Sequence, residues 1–259
     1  MASNDKTNPA GTAPIIEIVD LHKSFGGHQV LKGITLSVPE GSTLVILGGS
    51  GSGKTVLMKH MIGLLKPDSG KVIVEGEDIV PFGPEQLEQL RKKFGMVFQA
   101  AALFDSMTVY ENVSFALREH RKELGETKMR QIVRDKLAIV GLKDVEDKYP
   151  ASLSGGMRKR VGLARAIVLD PKIVLYDEPT TGLDPITTDY VDEMILDAKK
   201  QLGVTSVVIS HDIASAFKVA DNIAFLYQGE IVDQGHPSTL RHSQHPGAKL
   251  FLQTWFGKN

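Results

Sequence analysis

The chain has 259 residues, 42% hydrophobic and 24% charged, with 30 Lys and Arg against 31 Asp and Glu and a formal net charge of −1. That balance suits one large globular domain, or a core domain carrying an insertion, and speaks against nucleic acid as the main partner. The absence of cysteine excludes disulfides, thiolate metal sites and cysteine nucleophiles.

Residues 1–13 carry no apolar core, so they are not a secretory signal; they read as a disordered leader before a domain over 14–245 and a tail over 246–259. Nowhere do 18 apolar residues run together, so no helix is expected to cross a membrane, and a membrane role would come through a partner. A strand is expected over Ile15–Leu21. Phe25 and a Gly26-Gly27 turn follow, then a second strand alternating at Ile34, Leu36 and Val38.

After the turn Pro39-Glu40-Gly41, the apolar run Thr43–Leu47 reads as a buried strand. It runs into Gly48-Gly49-Ser50-Gly51-Ser52-Gly53-Lys54-Thr55, which fits the phosphate-binding pattern of Gly, four residues, Gly, Lys, then Ser or Thr. A phosphate chain approaches the backbone only where no Cβ intervenes, so glycines let successive N–H groups close around it. A helix opening at Lys54 adds unpaired N–H groups and the positive end of its dipole. Lys54 is expected to hold β- and γ-phosphates and the Thr55 hydroxyl to ligate Mg²⁺. The alternative is a glycine-rich turn with no ligand.

The P-loop helix is expected to stop near Gly63. A turn over Lys66–Gly70 leads to a strand at Val72–Val74, a polar helix over about 84–93, a strand at Gly95–Phe98, and then Gln99. From about 100 to 170 only helical patterns appear, over 109–117, 127–140 and 157–169, so a helical subdomain is expected there. Strands return at Ile173–Tyr176, Thr205–Ile209 and Ile223–Leu226, alternating with helices over 186–202 and 213–219. The fold class is therefore α/β, with a mostly parallel sheet covered on both faces.

Three further motifs fall where ligands bind such sheets. Asp177 and Glu178 end an apolar strand; both would face the ligand crevice, Asp177 toward Mg²⁺ and Glu178 toward the attacking water, unless they are only a solvated turn. His211 ends the next strand and is a candidate γ-phosphate contact or a structural histidine. Leu153-Ser154-Gly155-Gly156-Met157 precedes a helix whose first turn holds Arg158, Lys159 and Arg160. Three cations there oppose the helix dipole, which points to an anion site, whereas surface pairing is the plainer reading for Lys159 and helix capping for Ser154.

In this order the P-loop, Gln99, Leu153–Met157, Asp177-Glu178, Gly182-Leu183-Asp184 and His211 resemble the ATPase subunits of ABC transporters, over about residues 15–240. The resemblance implies a P-loop NTPase of ABC-ATPase type, with a RecA-like core, an antiparallel β-subdomain and an inserted helical subdomain. It implies ATP and Mg²⁺ as cofactors and hydrolysis coupled to transport. Phe25 matches the aromatic residue that stacks on adenine. Gln99 matches the glutamine that senses Mg²⁺ and water. Ser154, Gly155 and Gly156 match the signature that binds the γ-phosphate held by the opposite protomer. Glu178 matches the catalytic base, Asp184 the aspartate at the dimer seam, and His211 the switch histidine. One P-loop and one signature facing different nucleotides imply a head-to-tail dimer of two copies with ATP sandwiched between them.

Met157 stands in place of the usual signature glutamine, Tyr176 just before Asp177, and Val56 after Thr55. Val56 and Met157, with residues 101–113, 117–120 and 179–185, resemble the MlaF/Mkl ATPases of bacterial phospholipid transport. That narrower resemblance implies a MlaE-like permease, an MCE-domain (MlaD-like) protein and often a small MlaB-like STAS subunit. It places the chain on the cytoplasmic side of the inner membrane, held there by the permease. An ABC importer for amino acids or metal ions is the alternative with the same chemistry. A soluble ABC protein on ribosomes or DNA is the second, against which the single P-loop and the lack of a heptad run count. Phe251, Leu252, Trp255 and Phe256 form an apolar stripe expected to pack on the core, with docking on a partner as the alternative.

Overall fold

The structure, a computed structural model, describes residues 14–256, with the side chains of residues 250 and 254–256 left out. The expected leader lies outside the described residues, and so do the side chains of Trp255 and Phe256 in the apolar stripe.

Strands β1 (Pro14–Phe25) and β2 (His28–Pro39) form an antiparallel hairpin in which Phe25 pairs with His28. Its two-residue turn needs positive φ at both central positions, and Gly26 and Gly27 supply 55° and 82°. The next strand, β3 (Thr43–Leu47), leaves for another sheet, while β4 (Ser69–Val74) and β5 (Glu77–Asp78) return to complete a four-stranded antiparallel sheet in the order β2-β1-β4-β5.

The second sheet adds β6 (Phe94–Val97), β7 (Ile173–Asp177), β8 (Thr205–Ser210), β9 (Asn222–Tyr227) and β10 (Glu230–Gly235), in the order β10-β9-β3-β8-β7-β6. All its pairings are parallel except β9 with β10. The α/β expectation is met. The edge strand β10 was not anticipated.

A parallel sheet must bury both faces, and the strand residues divide accordingly. Val45, Leu47, Val174, Tyr176, Val208 and Phe225 join the core formed with the larger helices. Leu44, Ile46, Leu175, Val207, Ile209 and Leu226 join a second core, closed by the antiparallel sheet and by Leu57, Met58 and Met61 of α1 (Lys54–Met61). Helix α1 is thus wedged between the two sheets. Tyr176 is fully buried on the helical side, and Val56 packs against the second core.

After the short α2 (Pro84–Arg91), the helical region consists of α3 (Val109–His120), α4 (Glu126–Ile139) and α5 (Gly155–Ala166). Thr108 caps α3 in a reciprocal box with Glu111, at 3.2 and 2.7 Å. Helix α5 starts two residues earlier and ends three earlier than its periodicity suggested. Ser154 caps it through the Met157 N–H at 3.3 Å. At its other end a Cβ on Gly95 would lie 2.4 Å from the Ala166 carbonyl oxygen, so β6 presses directly on the helix terminus.

The chain finishes with α6 (Pro185–Leu202), α7 (Ile213–Val219), α8 (Pro237–Leu240) and α9 (Pro246–Phe256). Leu252 is buried in the larger core, and the Phe251 ring meets Phe225 edge-on with centroids 6.2 Å apart. Among the described residues no helix is long and apolar enough to cross a membrane.

Candidate active site

The strand order β3-β8-β7-β6 sets four motifs side by side, because each follows the carboxyl end of its strand. They are the P-loop after β3, His211 after β8, Asp177-Glu178 at the end of β7 and Gln99 after β6. The register ties the ends together: Leu47 pairs with Ser210 and Asp177 with Ile209. Backbone bonds carry the link past the strands, from Gly48 N to Ser210 O at 3.3 Å and from Glu178 N to Ile209 O at 3.0 Å.

Within the P-loop the glycines serve different ends. A Cβ on Gly48 would sit 2.4 Å from the Leu226 carbonyl oxygen, so this glycine lets the loop pass close to β9 and is not primarily there for phosphate, as the motif alone implied. Gly53 has φ 106°, the left-handed turn into α1. Gly49 has open space around its Cβ position and no left-handed φ, so only an outside ligand gives it a reason to be glycine.

Lys54 is 7% exposed and donates to Gly48 O at 2.8 Å and Gly49 O at 3.1 Å; its ammonium also lies 3.1 Å from Glu178 Oε1. The Ser52 hydroxyl is buried without a hydrogen-bond partner. Ser50 and Thr55 are exposed. An orphaned hydroxyl and a buried ammonium wrapped around the loop's own carbonyls fit a phosphate that would take both.

Glu178 is the most connected side chain at the site. Besides Lys54 on Oε1, His211 donates to its Oε2 through Nδ1 at 2.7 Å, the tautomer a carboxylate selects, and Thr181 Oγ1 donates to the same oxygen at 3.0 Å. Burial pushes the Glu178 carboxyl upward, but the Lys54 charge and the hydrogen bonds from Lys54, His211 and Thr181 outweigh it and hold the group below the usual glutamate value. Asp177 has no such support. Burial, then the neighbouring Glu178 charge, push its carboxyl above the usual aspartate value, with only distant pull from Lys59 and Lys54.

A carboxylate short of positive charge fits Mg²⁺, which takes one or two carboxylates and completes its shell with water and phosphate. Among the described residues no cluster of three or more His, Asp or Glu side chains could hold a metal ion by itself.

Gln99 is exposed, and the loop behind it is strained: Ala101 and Ala102 both have left-handed φ, at 62° and 49°. Arg165 of α5 spans both, donating from Nη2 to Ala101 O at 2.8 Å and from Nη1 to Ala102 O at 2.7 Å. Phe25 stands half-exposed at the tip of the first hairpin, with the Lys23 ammonium 5.4 Å from its ring centroid.

Ser154, Gly155 and Gly156 do not join this group. They line a separate cavity of about 700 Å³ with Ala101, Asp184 and Tyr190, and no P-loop residue lines it. Gly155 and Gly156 have open space at their Cβ positions and no left-handed φ, so nothing in their own chain demands glycine. Asp184 caps α6, accepting from the Ile186 and Thr187 N–H groups at 3.0 Å each. The basic trio is not an anion cradle in this chain. Arg158 donates to Leu153 O at 2.7 Å, Lys159 is half-buried and donates to Pro179 O, and the Arg160 guanidinium lies 5.9 Å from the Tyr190 ring centroid.

Sequence reasoning missed Thr181 and Arg165. Thr181 sits three residues after Glu178, a spacing that offered a signal; Arg165 bonds to backbone carbonyls more than 60 residues away, which offered none.

A protein-family description, ABC transporter, matches residues 31–181. The chain is 45% identical over 237 residues to the "probable ribonucleotide transport ATP-binding protein mkl" of Mycobacterium tuberculosis, covering 92% of this chain but only 66% of that protein. It is 37% identical to the "intermembrane phospholipid transport system ATP-binding protein MlaF" of Escherichia coli, covering 93% of this chain and 89% of that one. Among solved structures, a dimeric ATP-binding cassette in a post-hydrolysis state bound to ADP and Pi superposes with a TM-score of 0.76 at 29% identity, covering 86% of this chain and 98% of that one.

Proposed function

Because this chain belongs to the ABC transporter ATP-binding family, we propose that it is the ATP-hydrolysing subunit of a complex that moves phospholipid between membranes. The observation that carries the enzymatic part is the junction of Lys54, Glu178 and His211 at adjoining strand ends. With ATP bound, the γ-phosphate draws the Lys54 ammonium away from Glu178 and Oε1 is freed to accept a proton from the attacking water. His211 supports that carboxylate through Nδ1 and keeps Nε2 for the phosphate. Thr55, Gln99 and Asp177 would hold Mg²⁺, which would supply positive charge against the phosphates. Phe25 offers its exposed face to adenine.

The separate cavity of the signature gives the reason for a second copy. Ser154, Gly155 and Gly156 of one protomer would close over the nucleotide on the P-loop of the other, with Asp184 at the seam, and the open space at both glycines admits that close approach. The permease would dock in the groove of about 350 Å³ beside Gln99, lined by Phe98, Phe104, Phe115 and Arg165. Three phenylalanines exposed by about two-fifths each suit an apolar helix from a membrane subunit. The MCE-domain and STAS subunits, and the inner-membrane location, belong to this reading through the likeness to MlaF.

Phospholipid is preferred because the MlaF likeness runs along 89% of that protein, whereas the chain spans 66% of the mycobacterial relative named for ribonucleotides. Purification of the tagged complex from membranes, with identification of the bound cargo, separates lipid from ribonucleotide, amino acid or metal ion. The chemical assignment is tested by Glu178→Gln. ATP turnover in the purified complex should fall at least about a hundredfold, and turnover at the wild-type rate would show that the base has been misassigned.

A further inference from the structure

The Thr181 hydroxyl reaches the oxygen of Glu178 that does not face Lys54. Thr181 Oγ1 donates to Oε2 at 3.0 Å, beside His211 Nδ1 at 2.7 Å, while Oε1 faces the Lys54 ammonium at 3.1 Å. The backbone closes the same turn, with Thr181 N donating to Glu178 O at 3.3 Å. Glu178 has φ 49°, a left-handed conformation unfavourable for a residue with a Cβ, so its neighbours must hold it there. Thr180 next door is buried, whereas Thr181 is only half-buried.

The two carboxylate oxygens are therefore held differently. Oε1 depends on a cation that a phosphate would remove, and Oε2 is anchored within its own loop. Resting on the reading of Glu178 as the base, we propose that Thr181 is a positioning residue for hydrolysis, its hydroxyl fixing Oε2 so that Oε1 alone is presented to the attacking water. The proton leaving the water goes to Oε1 and the Thr181 proton stays where it is. Loss of the Thr181 hydrogen bond leaves Oε2 held by His211 alone and loosens the aim of the base.

Thr181→Val keeps the shape and removes the donor; Thr181→Ser keeps the donor. In the purified complex Thr181→Val should lower kcat about tenfold, as for one hydrogen bond to a charged group, and leave KM for ATP within about twofold. Thr181→Ser should restore the rate, and in a Glu178→Gln background Thr181→Val should cost nothing further. Should the valine variant fold poorly, Thr181→Ala makes the same comparison. A wild-type kcat for Thr181→Val, a rise in KM for ATP that accounts for the loss, or Thr181→Ser as slow as Thr181→Val overturns the proposal. If Glu178→Gln is inactive while Thr181→Val is normal, only the role of Thr181 falls; if Glu178→Gln turns over normally, the base assignment falls and takes this inference with it.

Discussion

Lys54, proposed to bind phosphate, is the main support of the Glu178 carboxylate proposed as the base, and that arrangement has a stability signature. Lys54 and Glu178 are 7% and 16% exposed and 3.1 Å apart. Lys54→Met removes the cation and leaves the carboxylate buried with only His211 and Thr181 as partners. Breaking one half of such a pair should cost about 3 kcal/mol, at the low end for buried pairs because the site opens to solvent. For a chain of this size that is about 5 °C in Tm.

The pH dependence follows from the direction of the Glu178 shift. Its carboxyl lies below the ordinary value in the folded protein, so its contribution is present above the unfolded value of 4.5 and is lost as pH falls through the folded one. Without Lys54 its two largest lowering influences are gone and the carboxyl moves up. The gap between wild type and Lys54→Met, measured by thermal unfolding without nucleotide, should therefore be full at pH 8 and close only as pH falls below 4.5. Lys54→Met combined with Glu178→Gln should recover most of the loss, since the buried charge is gone. Equal stability of Lys54→Met and wild type at pH 8, or a double variant no more stable than the single, would refute the coupling.

Asp192 on α6 makes a second pH argument, with the opposite sign. It is buried, accepts from the Ser215 hydroxyl, and has a carboxyl pushed up to about 6, first by burial and then by Asp212 and Asp189, against the pull of Ser215 and Lys218. The folded state thus holds this proton more tightly than the unfolded chain, and the resulting destabilisation grows as pH rises from about 4 to 6. Asp192→Asn should stabilise by at most about 3 kcal/mol at pH 8 and by about half of that at pH 5 in chemical denaturation, and a gain that does not vary with pH would contradict the assignment. The divided nucleotide site predicts complementation. Lys54→Ala and Gly155→Asp homodimers should each be inactive, while an equimolar mixture should regain up to roughly a quarter of the wild-type rate, because half the dimers then carry one intact site. No recovery in a mixture shown to exchange protomers would place the P-loop and its signature in one chain.

The P-loop, Asp177, Glu178 and His211 were readable because each is a short motif following an apolar strand, and the strand run that precedes it fixes which end of the sheet it occupies. Other features depend on contacts that no local pattern encodes. The reason for Gly48 is a carbonyl on β9, at Leu226, which becomes a neighbour only when the sheet assembles. The edge strand β10 has largely polar, part-exposed residues and so lacks the apolar run that marked its neighbours. The basic turn of α5 misled for a related reason. Cations at a helix N-terminus suggest a bound anion only until their tertiary partners are known, and here those partners are Leu153 O, Pro179 O and the Tyr190 ring.

Those same contacts explain why α5 is more than a support for the signature. Its first turn carries Ser154, Gly155 and Gly156 into the cavity that excludes the P-loop. One turn later Lys159, a cation whose burial lowers its affinity for a proton, donates to Pro179 O, the residue following Glu178. Near its end Arg165 grips the two left-handed alanines of the loop that carries Gln99, beside the groove with the exposed phenylalanines. A single rigid helix of 12 residues therefore touches the signature cavity, the catalytic loop and the groove proposed for the permease. Each of the last two links is a charged side chain on a backbone carbonyl, which transmits position without depending on the identity of the residue it holds. Both loops it grips contain left-handed residues, Glu178 in one and Ala101 and Ala102 in the other, so in both the helix helps to hold backbone that a side chain disfavours.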